Sequence, residues 1–113
     1  TCRKETPMKR MTIRDLRGNG SRLFPEELGD RRIDHGGIYV FKPGEVAHPE
    51  PTHVHDSEEV FIFPQGRGIL PIDGIEYTVQ TGDVFIVEAS EDHHLRCSVD
   101  DPLVSAWWVM ENA

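Results

Sequence analysis

The sequence predicts an all-β fold, an antiparallel sandwich or barrel, on two observations. Apolar runs are short, rich in Val, Ile, Phe and Tyr, and interrupted at close intervals by turn-forming residues. Between two of them stands Asp73-Gly74, a two-residue linker whose left-handed preference matches a type I′ hairpin turn. The expected strands are Met11–Leu16, Gly37–Lys42, Thr52–His55, Glu58–Phe63, Gly68–Ile72, Ile75–Val79, Asp83–Glu88, His93–Ser98 and Leu103–Met110. Phe24–Leu28 carries Pro25 near its start and Gly29 after its end, which predicts a single helical turn serving as a connector. Gly18-Asn19-Gly20-Ser21 reads as a loop.

A chain of 113 residues supports one core of ordinary size. Its 37% hydrophobic content is concentrated after residue 37. No apolar stretch approaches a membrane span, and the basic start Arg3, Lys4, Lys9 and Arg10 precedes no apolar signal region. The expectation is a soluble, cytoplasmic protein that does not engage membranes. Cys2 and Cys97 stand far apart in no metal or redox spacing, so they read as free thiols.

The net charge of −8 hides an asymmetry. Residues 1–36 carry nine Lys/Arg against six Asp/Glu, whereas residues 37–113 carry three against fourteen. This divides the chain into a basic N-terminal arm and connector, 1–36, expected to pack on an acidic barrel domain, 37–113. The acidic body would repel a nucleic-acid duplex, and no aromatic interleaving suits stacking on single strands, so no nucleic-acid partner is expected.

The residues that set the chemistry are His53, His55, Glu59 and His93. Alternate residues of a strand share a face, so His53 and His55 put two imidazoles on one side with backbones about 7 Å apart. Glu59 has the same parity, but a straight strand would carry it about 13 Å from His55. The chain is therefore expected to bend near Asp56 and Ser57 and bring the carboxylate in from a neighbouring segment. Three imidazoles and one carboxylate suit a single divalent first-row ion, and six-coordination would leave two open positions. The competing plain readings are a His pair that decorates a strand, or a closed structural ion.

The same residues resemble the cupin family. The first family motif, glycine, a gap, His-x-His, glutamate and glycine, is matched by Gly44, His53, His55, Glu59 and Gly66; the second, from glycine to histidine, by Gly82 to His93. Fifteen residues separate Gly66 from Gly82, the short spacing of small single-domain bacterial members. The resemblance implies a cupin-type antiparallel double-stranded β-barrel, a jelly roll, over about residues 37–110. Three departures stand out. Eight residues, more than usual, lie between Gly44 and His53 and include His48, Pro49 and Pro51; Glu88 and Ser90 take the usual proline and glycine places; Cys97 replaces the usual asparagine.

Around the ion, Phe61 and Phe63 share the face of Glu59, and Leu95 and Cys97 that of His93, so these four are expected as an apolar wall; core packing alone would ask for the same residues. His48 in the enlarged loop and Glu88 are the candidate acid or base groups, with a solvated loop histidine as the plain reading of His48. His94 should face away from the ion, and His35 has no partner in sequence. Of Trp107 and Trp108, one should point inward and one outward. An outward tryptophan, with apolar Val60 and Ile62 on outer faces, favours a homodimer, as does the resemblance.

The function expected is that of a metalloprotein holding Mn, Fe, Ni or Zn and acting on a small oxygenated substrate by dioxygenase or isomerase-type chemistry. The alternative is a metal-dependent module that binds or senses a small ligand without catalysis. No phosphate loop, paired nucleophile and base, or nicotinamide fingerprint is present, so the catalytic groups beyond the ligands are unassigned.

Overall fold

The computed structural model describes residues 8–18, 28–29, 31–47, 57–89 and 91–111. Nine strands form within them: β1 (Lys9–Thr12), β2 (Ile33–Phe41), β3 (Val46–Ala47), β4 (Glu59–Gln65), β5 (Gly68–Ile72), β6 (Ile75–Val79), β7 (Asp83–Val87), β8 (Leu95–Cys97) and β9 (Leu103–Met110). They make a five-stranded sheet in the order β1-β7-β4-β9-β2 and a four-stranded sheet in the order β3-β8-β5-β6. Every pairing is antiparallel. No helix among the described residues is long and apolar enough to cross a membrane.

β5, β6 and β9 have the bounds the sequence predicts. The β5–β6 turn is the expected one: Asp73 and Gly74 have φ of 49° and 82°, and Ile72 pairs directly with Ile75. The strand expected over Met11–Leu16 is a correction. It ends at Thr12, and Ile13–Leu16 is a 3-10 helix. The Asp15 carboxylate accepts from the Thr12 backbone N–H at 2.9 Å and from its hydroxyl at 3.2 Å, closing a local turn that competes with the ladder. β2 starts earlier than expected, at Ile33, because β9 supplies eight-residue pairing along it, with a register irregularity between Ile33 and His35. There a Cβ on Gly36 would sit 2.4 Å from the Trp107 carbonyl, so only glycine admits the approach. The short β3 was not expected. The strand expected at Thr52–His55 lies outside the described residues, as does the helical turn at Phe24–Leu28 apart from Leu28.

Strand parity sorts the apolar residues into two clusters. Phe61 and Phe63 of β4, Phe85 and Val87 of β7, and Leu70 and Ile72 of β5 fill the space between the sheets. The opposite face of the five-stranded sheet carries Val60, Val84, Ile86 and Met110, covered by Leu28 with Met11, Leu16 and Trp108 packed alongside. The outward apolar faces that suggested a second copy are thus in part covered by the chain's own N-terminal third. Trp107 and Trp108 do alternate, one lining the interior cavity and one in this outer cluster. A bidentate ion pair fixes the chain ahead of β2 to the chain ahead of β4: the Arg31 guanidinium donates to both carboxylate oxygens of Glu58, one of them at 2.6 Å. The hydrogen bond from Arg31 holds the Glu58 carboxyl below its ordinary value of 4.5, against the opposing pull of burial.

Two outcomes follow for stability. Gly66 has φ of 98°, and a Cβ there would meet the Pro102 carbonyl oxygen at 2.1 Å, whereas Gly74 at φ of 82° has nothing within 4 Å. Gly74→Ala should cost about 1–2 kcal/mol in a denaturant titration and Gly66→Ala about 3 kcal/mol or more, since it adds a clash with backbone to the left-handed strain. Because the folded pKa of Glu58 is depressed, its contribution is present above the unfolded value near 4.5 and is lost as pH falls through the folded one. Glu58→Gln should therefore be about 1–2 kcal/mol less stable than the parent at neutral pH, with the difference vanishing in acid; melting curves across pH check this.

Candidate metal centre

Glu59 is the first residue of β4, and its position is held from outside the strand. The Ser57 hydroxyl, at a bend, donates to the Met110 carbonyl at 2.6 Å, and the Met110 amide donates to the Glu58 carbonyl at 2.9 Å. These bonds tie the start of β4 to the end of β9 and turn the Glu59 side chain to the inner face shared with Phe61 and Phe63. His93 comes from the other sheet, in an isolated bridge to Ile72 just ahead of β8. Thirty-four residues apart in sequence, the two meet: His93 Nε2 lies 3.0 Å from Glu59 Oε1.

Both groups are buried, Glu59 at 3% and His93 at 2% exposure. His93 Nδ1–H donates to the Glu91 carbonyl at 2.9 Å, and the Phe61 ring stands edge-on to the imidazole at 5.9 Å between centroids. Burial acts to lower the imidazole pKa, but the hydrogen bonds to Glu59 and to the Glu91 carbonyl outweigh it and raise the value above 6.5. In the neutral ring, an Nδ1–H occupied by a carbonyl leaves the Nε2 lone pair directed at the carboxylate. This orientation suits a cation held between nitrogen and oxygen, with the carbonyl in the supporting role that ligand histidines use.

The pair opens onto a cavity of about 500 Å³. Its apolar lining comes from Phe41, Val46, Ala47, Phe61, Leu95 and Trp107; its polar lining from Glu59, His93 and Ser105, with His35, Tyr39 and Glu45 also contributing. Of the four residues expected as wall, Phe61 and Leu95 line this cavity. Phe63 and Cys97 do not: both are in the core between the sheets, and Cys97 borders a second cavity. Burial pushes the Cys97 thiol pKa up, which suits an inert core sulfur. Glu88 is not among the lining residues; its backbone N–H donates to Glu91 Oε1 at 2.8 Å. His48, His53 and His55 lie outside the described residues, and among the described ones no group of three His, Cys, Asp or Glu gathers at metal-binding distance.

Several lining residues escaped the sequence reading. His35 stacks edge-on against Trp107 at 5.8 Å, and the Tyr39 hydroxyl donates to the Glu45 carboxylate. That hydrogen bond raises the phenol pKa and lowers the carboxyl one. Ser105 was also missed. Its inward parity with Leu103 and Trp107 is readable, but its place in the cavity depends on β9 lying between β4 and β2.

The profile of the Cupin domain matches residues 37–109. Among solved structures, the fold resembles a cupin protein from Bacteroides fragilis, with a TM-score of 0.59 and 23% identity over 67% of this chain and 64% of that one. It also resembles the capsular polysaccharide assembling protein CapF from Staphylococcus aureus, with a TM-score of 0.61 and 22% identity over 73% of this chain and 25% of that one. A third is a salicylate 1,2-dioxygenase from Pseudaminobacter salicylatoxidans, with a TM-score of 0.52 and 16% identity over 64% of this chain and 19% of that one. The match thus spans less than two thirds of each of these proteins. Two antiparallel sheets around one polar-ended cavity, and a profile match over most of the sequence, identify this chain as a member of the cupin family.

Proposed function

We propose that this cupin domain binds one divalent first-row metal through His53, His55, Glu59 and His93, and acts as a dioxygenase-type enzyme on a small oxygenated molecule. The observation that carries the reading is the meeting of Glu59 and His93, from opposite sheets and both expected as ligands, at 3.0 Å in the wall of the cavity. A buried carboxylate facing a buried imidazole nitrogen fits a cation, and the imidazoles of His53 and His55 would complete the donor set. Such an ion supplies Lewis acidity and, when redox-active, electrons for oxygen chemistry. The chain's own residues supply an apolar enclosure that excludes water and orients the ligand.

Among groups that could move a proton, Glu45 is held low by the Tyr39 hydroxyl and the Lys42 amide, while the His35 imidazole also borders the cavity. Glu88 is not among the described lining residues. The same reading has residues 1–36 serve as an arm on the barrel 37–113, supported by the pairing of β1 with β7. It has the protein work in the cytoplasm as a homodimer, free of nucleic acid and membrane. Buried Cys97 as a free thiol, the net charge of −8, and the exposed apolar side chains Ile33, Ile38 and Val40 on edge strand β2 support it.

His53→Ala and Glu59→Ala, purified in parallel with the parent, should lose most of the bound metal by elemental analysis; full stoichiometry in both variants would refute the ligand assignment. The iron-loaded protein should take up oxygen with at least one member of a panel of small enols, thiols and diketones. Tight binding in calorimetry without uptake across the panel would favour the binding module.

A further inference from the structure

The cavity contains a buried polar atom that metal binding does not use. Ser105 is 1% exposed and lines the cavity, yet its hydroxyl has no hydrogen-bond partner among the described residues. A desolvated hydroxyl without a partner destabilises the fold, and alanine would fill the same place on β9 without that cost. Such a group is suited to a ligand.

The register says where along the cavity it stands. Glu59 pairs with Val109, Phe61 with Trp107, and Ser105 lies two residues further along β9 with the same inward parity. Ser105 is thus about 13 Å along the sheet from the level of Glu59, with the Phe61–Trp107 pair between the two levels. A molecule held at the Glu59 and His93 end passes these two aromatic rings before it reaches the hydroxyl. No Lys or Arg is among the described lining residues, so none of these residues balances a carboxylate or phosphate.

We propose that Ser105 is the second anchor of the cavity, and that the ligand is a small neutral planar-ring compound with oxygen functions at opposite ends. One end belongs to the Glu59 and His93 side, the ring lies along Phe61 and Trp107, and a hydroxyl or carbonyl at the other end meets the Ser105 hydroxyl. The assignment of the first end rests on the metal-binding reading above.

Kojic acid and allomaltol test this, because both are neutral chelating hydroxypyranones and differ only in the distal hydroxyl that kojic acid carries. By calorimetry the protein purified with its metal should bind kojic acid about tenfold more tightly than allomaltol. Ser105→Ala should weaken kojic acid by about that factor and leave allomaltol unchanged. Equal affinities in the parent, or equal weakening of both by the substitution, would overturn the anchor while leaving the metal reading standing. Binding of neither compound would overturn the metal end and the anchor with it. Without added compound, Ser105→Ala should melt at or above the parent; a drop of several degrees would show that the hydroxyl serves the fold instead, and would overturn the proposal.

Discussion

The burial of a carboxylate beside an imidazole in an apolar wall is the constraint around which this molecule is arranged. Moving either group out of water alone would be strongly unfavourable, and they are tolerated because each faces the other and His93 is bonded on its far side to the Glu91 carbonyl. Meeting that condition requires residues 59 and 93 to arrive from different sheets within hydrogen-bonding distance. The packing of the two sheets, and the pinning of β4 to β9 through Ser57 and Met110, serve that requirement.

The central strands β7 and β4 of the five-stranded sheet are buried on both faces, whereas its edge strand β2 is exposed. One face forms the cavity and core with the smaller sheet; the other, which carries Met11 and Trp108, packs against Leu28 and Leu16. That packing reaches Val60 of β4 and Met110 of β9, the strands that carry Glu59, Phe61, Ser105 and Trp107. The N-terminal third of the chain therefore contributes to the site without lining much of it. The Arg31–Glu58 pair reinforces this at the point where the chain enters β4.

Much of the site could be read from the sequence because its information is local. Parity along a strand placed Glu59 with Phe61 and Phe63 on one face and Val60 and Ile62 on the other, and the structure keeps that division. Asp73-Gly74 announced its hairpin because only left-handed backbone closes so short a loop. The 3-10 helix at Ile13–Leu16 was missed because a single side chain, Asp15, redirects a segment that otherwise reads as strand. Phe63 and Cys97 were expected at the cavity because parity gives the face of a residue but not its place along the strand: each stands two residues beyond a lining residue, Phe61 or Leu95, and Cys97 borders the second cavity instead. His35 and Ser105 went unread because their strands meet only through pairing of distant segments.

The sequence by itself determined the fold class, most of the strands, the family resemblance and the residue types able to hold a metal, since side-chain alternation, turn chemistry and motif spacing are properties of contiguous residues. Tertiary structure alone decided which inward residues share one cavity, because β2, β4 and β9 become neighbours only through pairings between segments far apart in the chain. It also decided that Glu59 meets His93 and that Ser105 stands beyond the Phe61–Trp107 pair, through sheet packing and cross-strand register respectively.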